Sequence, residues 1–212
     1  VILMEVATGE VRAVANYTRV SKGEYKEMFN YAIAGNQDPG STFKLASFMA
    51  LLEDKKVDTS TLVNTGNYRV RGHTIKDSHG SIGVVTVKKS FEQSSNAAIA
   101  ELVNTHYRDN PKQFTDHLYN WHLHERLGLQ ISGEAKPVIK NPGNKSWNKN
   151  LTLAQMAYGY EMQMTPLNMV SFYNAVANDG KYVAPIFVKE IRRLGNPIEQ
   201  FKARVVNEKI TS

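Results

Sequence analysis

Cysteine is absent from the 212 residues. That excludes a disulfide scaffold, a thiolate metal site and a cysteine nucleophile, and it leaves the redox compartment open. Long apolar runs are missing too: no stretch approaches the roughly 18 consecutive apolar residues that read as a membrane-spanning helix. No segment has the order of a secretory signal peptide. Basic residues outnumber acidic ones by 26 to 20, a net charge of +6, but the longest basic runs are pairs such as Lys55-Lys56 and Arg192-Arg193. Without a basic arm or stripe, no nucleic-acid partner is expected. Internal repeats and low-complexity tracts are absent as well. What remains is ordinary globular composition, 42% hydrophobic and 22% charged, enough for one large domain over 1–212.

The chain opens inside a strand, Val1 to Val6, with a turn at Ala7-Thr-Gly-Glu10 and a second strand over 11–15. A start inside a hairpin suggests a domain taken from something longer. A polar connection (16–40) ends in Gln37-Asp-Pro-Gly40, after which Leu45, Phe48, Met49 and Leu52 recur at i, i+3, i+4 and i+7, the pattern of an amphipathic helix. Residues 54–85 are polar and turn-rich. Two helical pieces, 86–93 and 97–103, are interrupted at Ser94-Ser95-Asn96. Asn110-Pro111 supplies an N-cap and first turn for a helix carrying Phe114, Leu118 and Trp121, predicted to stop at Gly128. After a loop over 132–150 and a helical stretch over 151–158, Thr165-Pro166 starts a helix that ends at Asp179-Gly180. Ile186–Leu194 and Ile198–Val206 read as a terminal hairpin through Gly195. Strands at both ends with helices between, and no regular βαβ alternation, make the fold α+β.

Several short patterns invite a functional reading. Gly35-Asn-Gln-Asp-Pro-Gly40-Ser-Thr42 approaches the phosphate-binding loop G-x-x-x-x-G-K-S/T, but Ser41 stands where the phosphate-reaching lysine is needed. Asp116, His117, His122, His124 and Glu125 offer metal-ligand chemistry without the i, i+4 histidine spacing, so a wet helix face is expected and no metal. S-x-x-K occurs twice, at Ser41–Lys44 and Ser146–Lys149; with 13 serines and 17 lysines, chance alone gives about one. Context separates the two. Ser146 follows Pro142-Gly143 in a loop with no apolar periodicity behind it. Ser41 follows the chain-stopping Pro39-Gly40, at a helix start that places Lys44 one turn on along the same face. A lysine amine would then reach a serine hydroxyl, near amide N–H groups able to stabilise an oxyanion. The plain structural alternative is a helix-capping Ser41 with an exposed Lys44.

Asp38-Pro-Gly-Ser-Thr-Phe-Lys44 resembles the nucleophile motif of penicillin-binding proteins, the D,D-transpeptidases of bacterial cell-wall synthesis, for which S-x-x-K is characteristic. The resemblance runs the length of the chain. Met4-Glu-Val-Ala-Thr-Gly-Glu-Val-Arg-Ala13 is similar to the family's opening hairpin, and Phe91-Glu-Gln-Ser-Ser-Asn-Ala97 to its S-x-N motif in the Ser-Ser-Asn form of class B enzymes. Ala157-Tyr-Gly-Tyr160, Met164-Thr-Pro-Leu167 and Ala177-Asn-Asp-Gly180 resemble the segments around its late helix. His73-Thr-Ile-Lys-Asp-Ser-His79 and the loop Ser132–Asn148 look most like the division-type branch.

The resemblance implies the fold shared with serine β-lactamases, an antiparallel sheet flanked by helices, here mainly the helical part with the N-terminal hairpin. It implies a Ser41 nucleophile, Lys44 as its base, Ser94 as proton relay, and Asn96 holding Lys44 and the substrate amide, with Thr42 and Ser95 as substrate-binding neighbours. No cofactor is implied. The substrates would be peptidoglycan stem peptides ending in D-Ala-D-Ala, with β-lactam antibiotics as mimics and cell-division proteins as partners. The expected location is the periplasmic face of the bacterial inner membrane, through an N-terminal anchor not in this sequence. A β-lactamase, a penicillin sensor or an inert binding domain could share the same four residues. The third motif, K-S/T-G, does not occur in 1–212. Its strand follows this region in the family, so the C-terminal strands are expected to be missing. The opening hairpin is then expected to lack sheet neighbours, and residues 1–212 alone to acylate slowly or not at all.

Overall fold

The computed structural model describes residues 1–211. Among the described residues seven α-helices run in chain order: α1 (Tyr31–Ala34), α2 (Lys44–Glu53), α3 (Val87–Glu92), α4 (Asn96–Tyr107), α5 (Pro111–Asn120), α6 (Thr152–Met156) and α7 (Pro166–Ala177). Short strands, all paired antiparallel in twos among the described residues, complete an α+β fold. The strands are two to five residues long, so each pair stays small and no wide sheet forms among these residues. The chain divides into two compact units. One comprises 38–120 and 138–163; the other comprises 1–37, 121–137 and the residues from Met164 onward.

The unit holding both chain ends is organised by α7. Thr165 caps it through the Asn168 amide and Asn168 caps in return, with Pro166 at the first helical position, where its missing N–H costs nothing. Leu167, Phe172 and Ala175 are buried, and Phe172 meets Trp121 at a ring separation of 5.9 Å. Ile2–Met4 pairs with Val11–Val14 as expected. The hairpin does have a neighbour: Val11 N–H donates to the Ile186 carbonyl (2.9 Å) and Ile186 N–H to that of Gly9 (2.8 Å). Gly9 is required there, because a Cβ would sit 2.3 Å from the Ala184 oxygen. The polar connection contains a hairpin of its own, Thr18–Ser21 with Glu24–Lys26. The terminal hairpin is shorter than its pattern, Glu190–Arg193 with Asn196–Gln200, and Val205–Asn207 pairs instead with Tyr182–Val183.

In the other unit α4 is central. Ala97, Ala98, Ile99 and Ala100 are at most 1% exposed, and the small side chains of the three alanines let neighbouring helices approach α4 closely, α2, α3, α5 and α6 packing around it. Helix α2 is buried nearly all round, through Phe43, Ala46, Phe48, Ala50 and Leu51, whereas Leu52 of the expected stripe is 40% exposed. The turn-rich region resolves into Leu62–Asn64 paired with Val84–Thr86, and a hairpin of Asn67–Val70 with His73–Lys76. Its two-residue turn, Arg71-Gly72, has both φ angles positive (44° and 88°), as the twist of a tight hairpin demands. Helix α5 stops at Asn120, not Gly128, and His122 adopts a φ of 59° that no α-helix continues. His117 and His124 therefore do not share a helical face; His117 Nε2 lies 2.9 Å from Asp54 Oδ1.

Candidate active site

The site is built where α2 begins. Gly40 takes a left-handed φ of 55° and its N–H donates to the Gly159 carbonyl (3.0 Å). Gly159 is itself at φ 87°, and a Cβ there would lie 2.0 Å from the Gly40 oxygen. Two glycine backbones thus touch, which fixes the corner from which the 3-10 turn Gly40–Phe43 runs into α2. Ser41 rides that turn exposed, and Lys44 follows one turn later. Lys44 is not an exposed first-turn residue: it is 1% accessible, among the largest fully buried side chains of the molecule.

Burial of an ammonium demands partners. Lys44 Nζ lies 3.1 Å from Ser41 Oγ, 2.9 Å from Ser94 Oγ and 2.5 Å from the Ser94 carbonyl. Three contacts saturate an amine. Ser94 can offer both of its oxygens because its φ is 54°, a left-handed conformation that costs a non-glycine residue about 1–2 kcal/mol. The surrounding turn holds it: Ser94 N–H donates to the Phe91 carbonyl (2.9 Å) and Ser95 N–H to that of Ser90 (3.0 Å). Strain of this kind at a hydrogen-bonding residue points to a functional constraint.

Desolvation by burial lowers the Lys44 pKa from 10.5 to about 8, opposed by the charge of Asp77. Asp77 is a residue that sequence reasoning missed. Burial pushes its carboxyl up, but hydrogen bonds from the Ala97 and Gly66 amides and the Ser95 hydroxyl outweigh that and hold it below the usual carboxylate range. Its segment, His73–His79, resembles the division-type branch, but nothing local marks Asp77 itself, because its partners lie near 66 and 95–97.

Ser41, Lys44 and Ser94 come together; Asn96 and Ser95 make other contacts, and Thr42 stays exposed beside Ser41. Asn96 does not hold Lys44, whose contacts are taken by Ser41 and Ser94; its amide donates to the Lys76 carbonyl (3.2 Å). Ser95, expected at the substrate, is 2% exposed and caps α4, accepting from the Ala98 N–H (3.0 Å) while donating to Asp77 (2.7 Å). Thr42 is exposed, with its hydroxyl on the Pro39 carbonyl (2.7 Å). Ser146 and Lys149, the competing S-x-x-K, are both exposed in a turn region.

A buried lysine between two serines, on a turn held by glycine contacts, is the arrangement of an acyl-transfer site. The chain belongs to the penicillin-binding protein transpeptidase domain family, whose family model matches residues 1–212. It is 28% identical over 197 residues to penicillin-binding protein PbpB of Mycobacterium tuberculosis, covering 89% of this chain and 28% of that protein. It is also 28% identical over 186 residues to peptidoglycan D,D-transpeptidase FtsI of Escherichia coli K12, covering 85% and 30%. Among solved structures, the apo form of penicillin binding protein 3 from Mycobacterium tuberculosis superposes with a TM-score of 0.81 at 26% identity, over 100% of this chain and 48% of that one. The chain spans less than half the length of each of these relatives.

Proposed function

We propose that this chain carries the nucleophile, base and proton relay of a peptidoglycan D,D-transpeptidase of the division type. The observation that carries the reading is the placement of Lys44 Nζ between Ser41 Oγ and Ser94 Oγ. A neutral Lys44 has two N–H donors and one lone pair. With both donors on the oxygens of Ser94, the lone pair is left for the Ser41 hydroxyl proton, 3.1 Å between heavy atoms. Ser41 Oγ then attacks the carbonyl of the penultimate D-Ala in a stem peptide, and its proton passes to Lys44. The C–N bond to the terminal D-Ala breaks as the departing amine takes that proton back through Ser94 Oγ. An amine of a second stem peptide attacks the Ser41 ester, a new C–N bond forms, and the serine recovers its proton. A β-lactam enters by the same attack and, with its leaving group tethered, stops at the acyl stage. None of these steps requires a metal or organic cofactor.

The setting we infer from the family resemblance is the periplasmic face of the bacterial inner membrane, with division proteins as partners. Among the described residues no helix is long and apolar enough to cross a membrane. The test is peptide mass mapping of the full-length protein after penicillin treatment. Adduct on the peptide containing Ser41 is expected, and adduct confined to peptides without it would overturn the assignment. The lifetime of that adduct distinguishes a transpeptidase, which keeps it, from a β-lactamase, which hydrolyses it, and an inert binding domain forms none.

A further inference from the structure

Helix α4 has no acidic residue in its first turn. The negative charge that stabilises such a helix end comes from elsewhere in the chain. Asp77, just past the strand His73–Lys76, places Oδ1 2.8 Å from the Ala97 N–H, and Oδ2 2.7 Å from both the Gly66 N–H and the Ser95 hydroxyl. Its own N–H returns to the Gly66 carbonyl (2.9 Å). One carboxylate therefore ties the hairpin 67–76 to both the cap and the first turn of α4. The residue before that cap is Ser94, whose left-handed backbone presents two oxygens to Lys44. Without the tie, the Ser95 side of the turn is held against relaxation of Ser94 by the Ser95 N–H bond to the Ser90 carbonyl and the cap on Ala98 alone, without the anchoring carboxylate.

Resting on the reading of Ser41, Lys44 and Ser94 above, we propose that Asp77 is a positioning residue: through Ser95 and the first turn of α4 it holds the strained Ser94 turn against Lys44. It touches neither nucleophile nor base. Its charge acts on Lys44 as well, raising the pKa that burial lowers. Lys76 and His79 flank Asp77, with His79 lining the same small cleft beside Ser94, and Lys89 and Glu92 of α3 pair with each other at 3.2 Å.

The experiment measures penicillin acylation of the full-length protein from pH 6 to 9.5 for wild type, Asp77→Asn, Asp77→Glu and His79→Gln. Asp77→Asn should lower the plateau rate by about 10- to 100-fold, since misplacing a reacting group by about 1 Å can cost about 100-fold. It should also move the midpoint of the profile to lower pH, because the influence that raises the Lys44 pKa is gone. A helix cap acting only on stability would not shift the midpoint. Asp77→Glu retains the charge but breaks the spacing, so its plateau should fall while its midpoint stays with wild type. His79→Gln should match wild type throughout. A wild-type plateau in Asp77→Glu, or an unmoved midpoint in a folded Asp77→Asn, overturns the proposal, and if Asp77→Asn does not fold, the Asp77→Glu plateau decides. Wild-type protein that is not acylated at Ser41 would instead overturn the underlying reading, so the two failures are distinguishable.

Discussion

The pH dependence of acylation follows directly from the burial of Lys44. Its pKa falls from 10.5 to about 8. At about 1.4 kcal/mol per unit, that shift is worth roughly 3 kcal/mol of lost preference for the charged form. At pH 7 a lysine of pKa 8 is neutral in about 9% of molecules, against about 0.03% for an ordinary one, a gain of about 300-fold in available base. If the neutral amine takes the Ser41 proton, the second-order rate constant for acylation should rise almost tenfold from pH 6 to 7. It should reach half its maximum near pH 8 and flatten above about pH 9. Stability should change over the same range with a definite sign. Between pH 8 and 10.5 the unfolded chain holds the lysine proton that the folded one has released, so this group's contribution to stability rises with pH there and its penalty is complete below pH 8. Fluorescent-penicillin labelling of the full-length protein, timed at half-unit pH steps, reads the profile. Lys44→Arg, which cannot deprotonate near neutrality, should cost at least about 100-fold and abolish the slope. A profile flat from pH 6 to 9, or a Lys44→Arg protein with near-normal rates, would refute the reasoning.

At Ser94, both Ser94→Ala and Ser94→Gly should slow acylation, but they should differ in stability. Only glycine relieves the φ of 54°, so denaturant unfolding should find it more stable than the alanine variant by about 0.5–1 kcal/mol after glycine's own entropy cost; an equal or weaker glycine variant would show that the turn carries no strain. Gly159→Ala places a Cβ 2.0 Å from the Gly40 oxygen at a left-handed φ, and should destabilise by about 2–4 kcal/mol and slow acylation at Ser41 more than tenfold. Thermal melts and penicillin labelling check it, and wild-type values for both would mean that the glycine contact does not set the serine turn. Asp54 Oδ2 receives the Tyr107 hydroxyl (2.8 Å) and the Gln113 amide (2.9 Å), so Asp54→Ala should cost about 2–3 kcal/mol of stability in a denaturant titration while leaving the pH midpoint of acylation unchanged; a moved midpoint would place Asp54 in the site.

Sequence reasoning by itself settled features whose causes are local. The α7 start follows from Thr165-Pro166, the break between α3 and α4 from Ser94-Ser95-Asn96, and the opening hairpin from alternation around a glycine turn. The preference for Ser41 over Ser146 also rested on local context, a Pro-Gly stop against a plain loop. Helix ends without a proline or glycine stop were less legible. Helix α5 ends at Asn120 although its pattern continues to Trp121, because the left-handed His122 that follows is held by the fold and not by its own preference. The hairpin at 67–76 lay hidden in a polar stretch, since its inward residues Val70 and Ile75 find their core only against Ala100 and Ala154. Chemistry at the site depended still more on distance along the chain. Whether Lys44 was an exposed helix residue or a buried base turned on the Ser94 oxygens, 50 residues away. Of the residues chosen by motif, Ser95 caps α4 and Asn96 donates to the Lys76 carbonyl, while nothing local marked Asp77 because its partners are 11 to 20 residues off. Composition and spacing determine which groups a chain has available and where its helices begin. Only tertiary packing decides which of those groups lose water, and it is the loss of water around Lys44 that lowers its pKa toward the range in which a lysine can give up its proton.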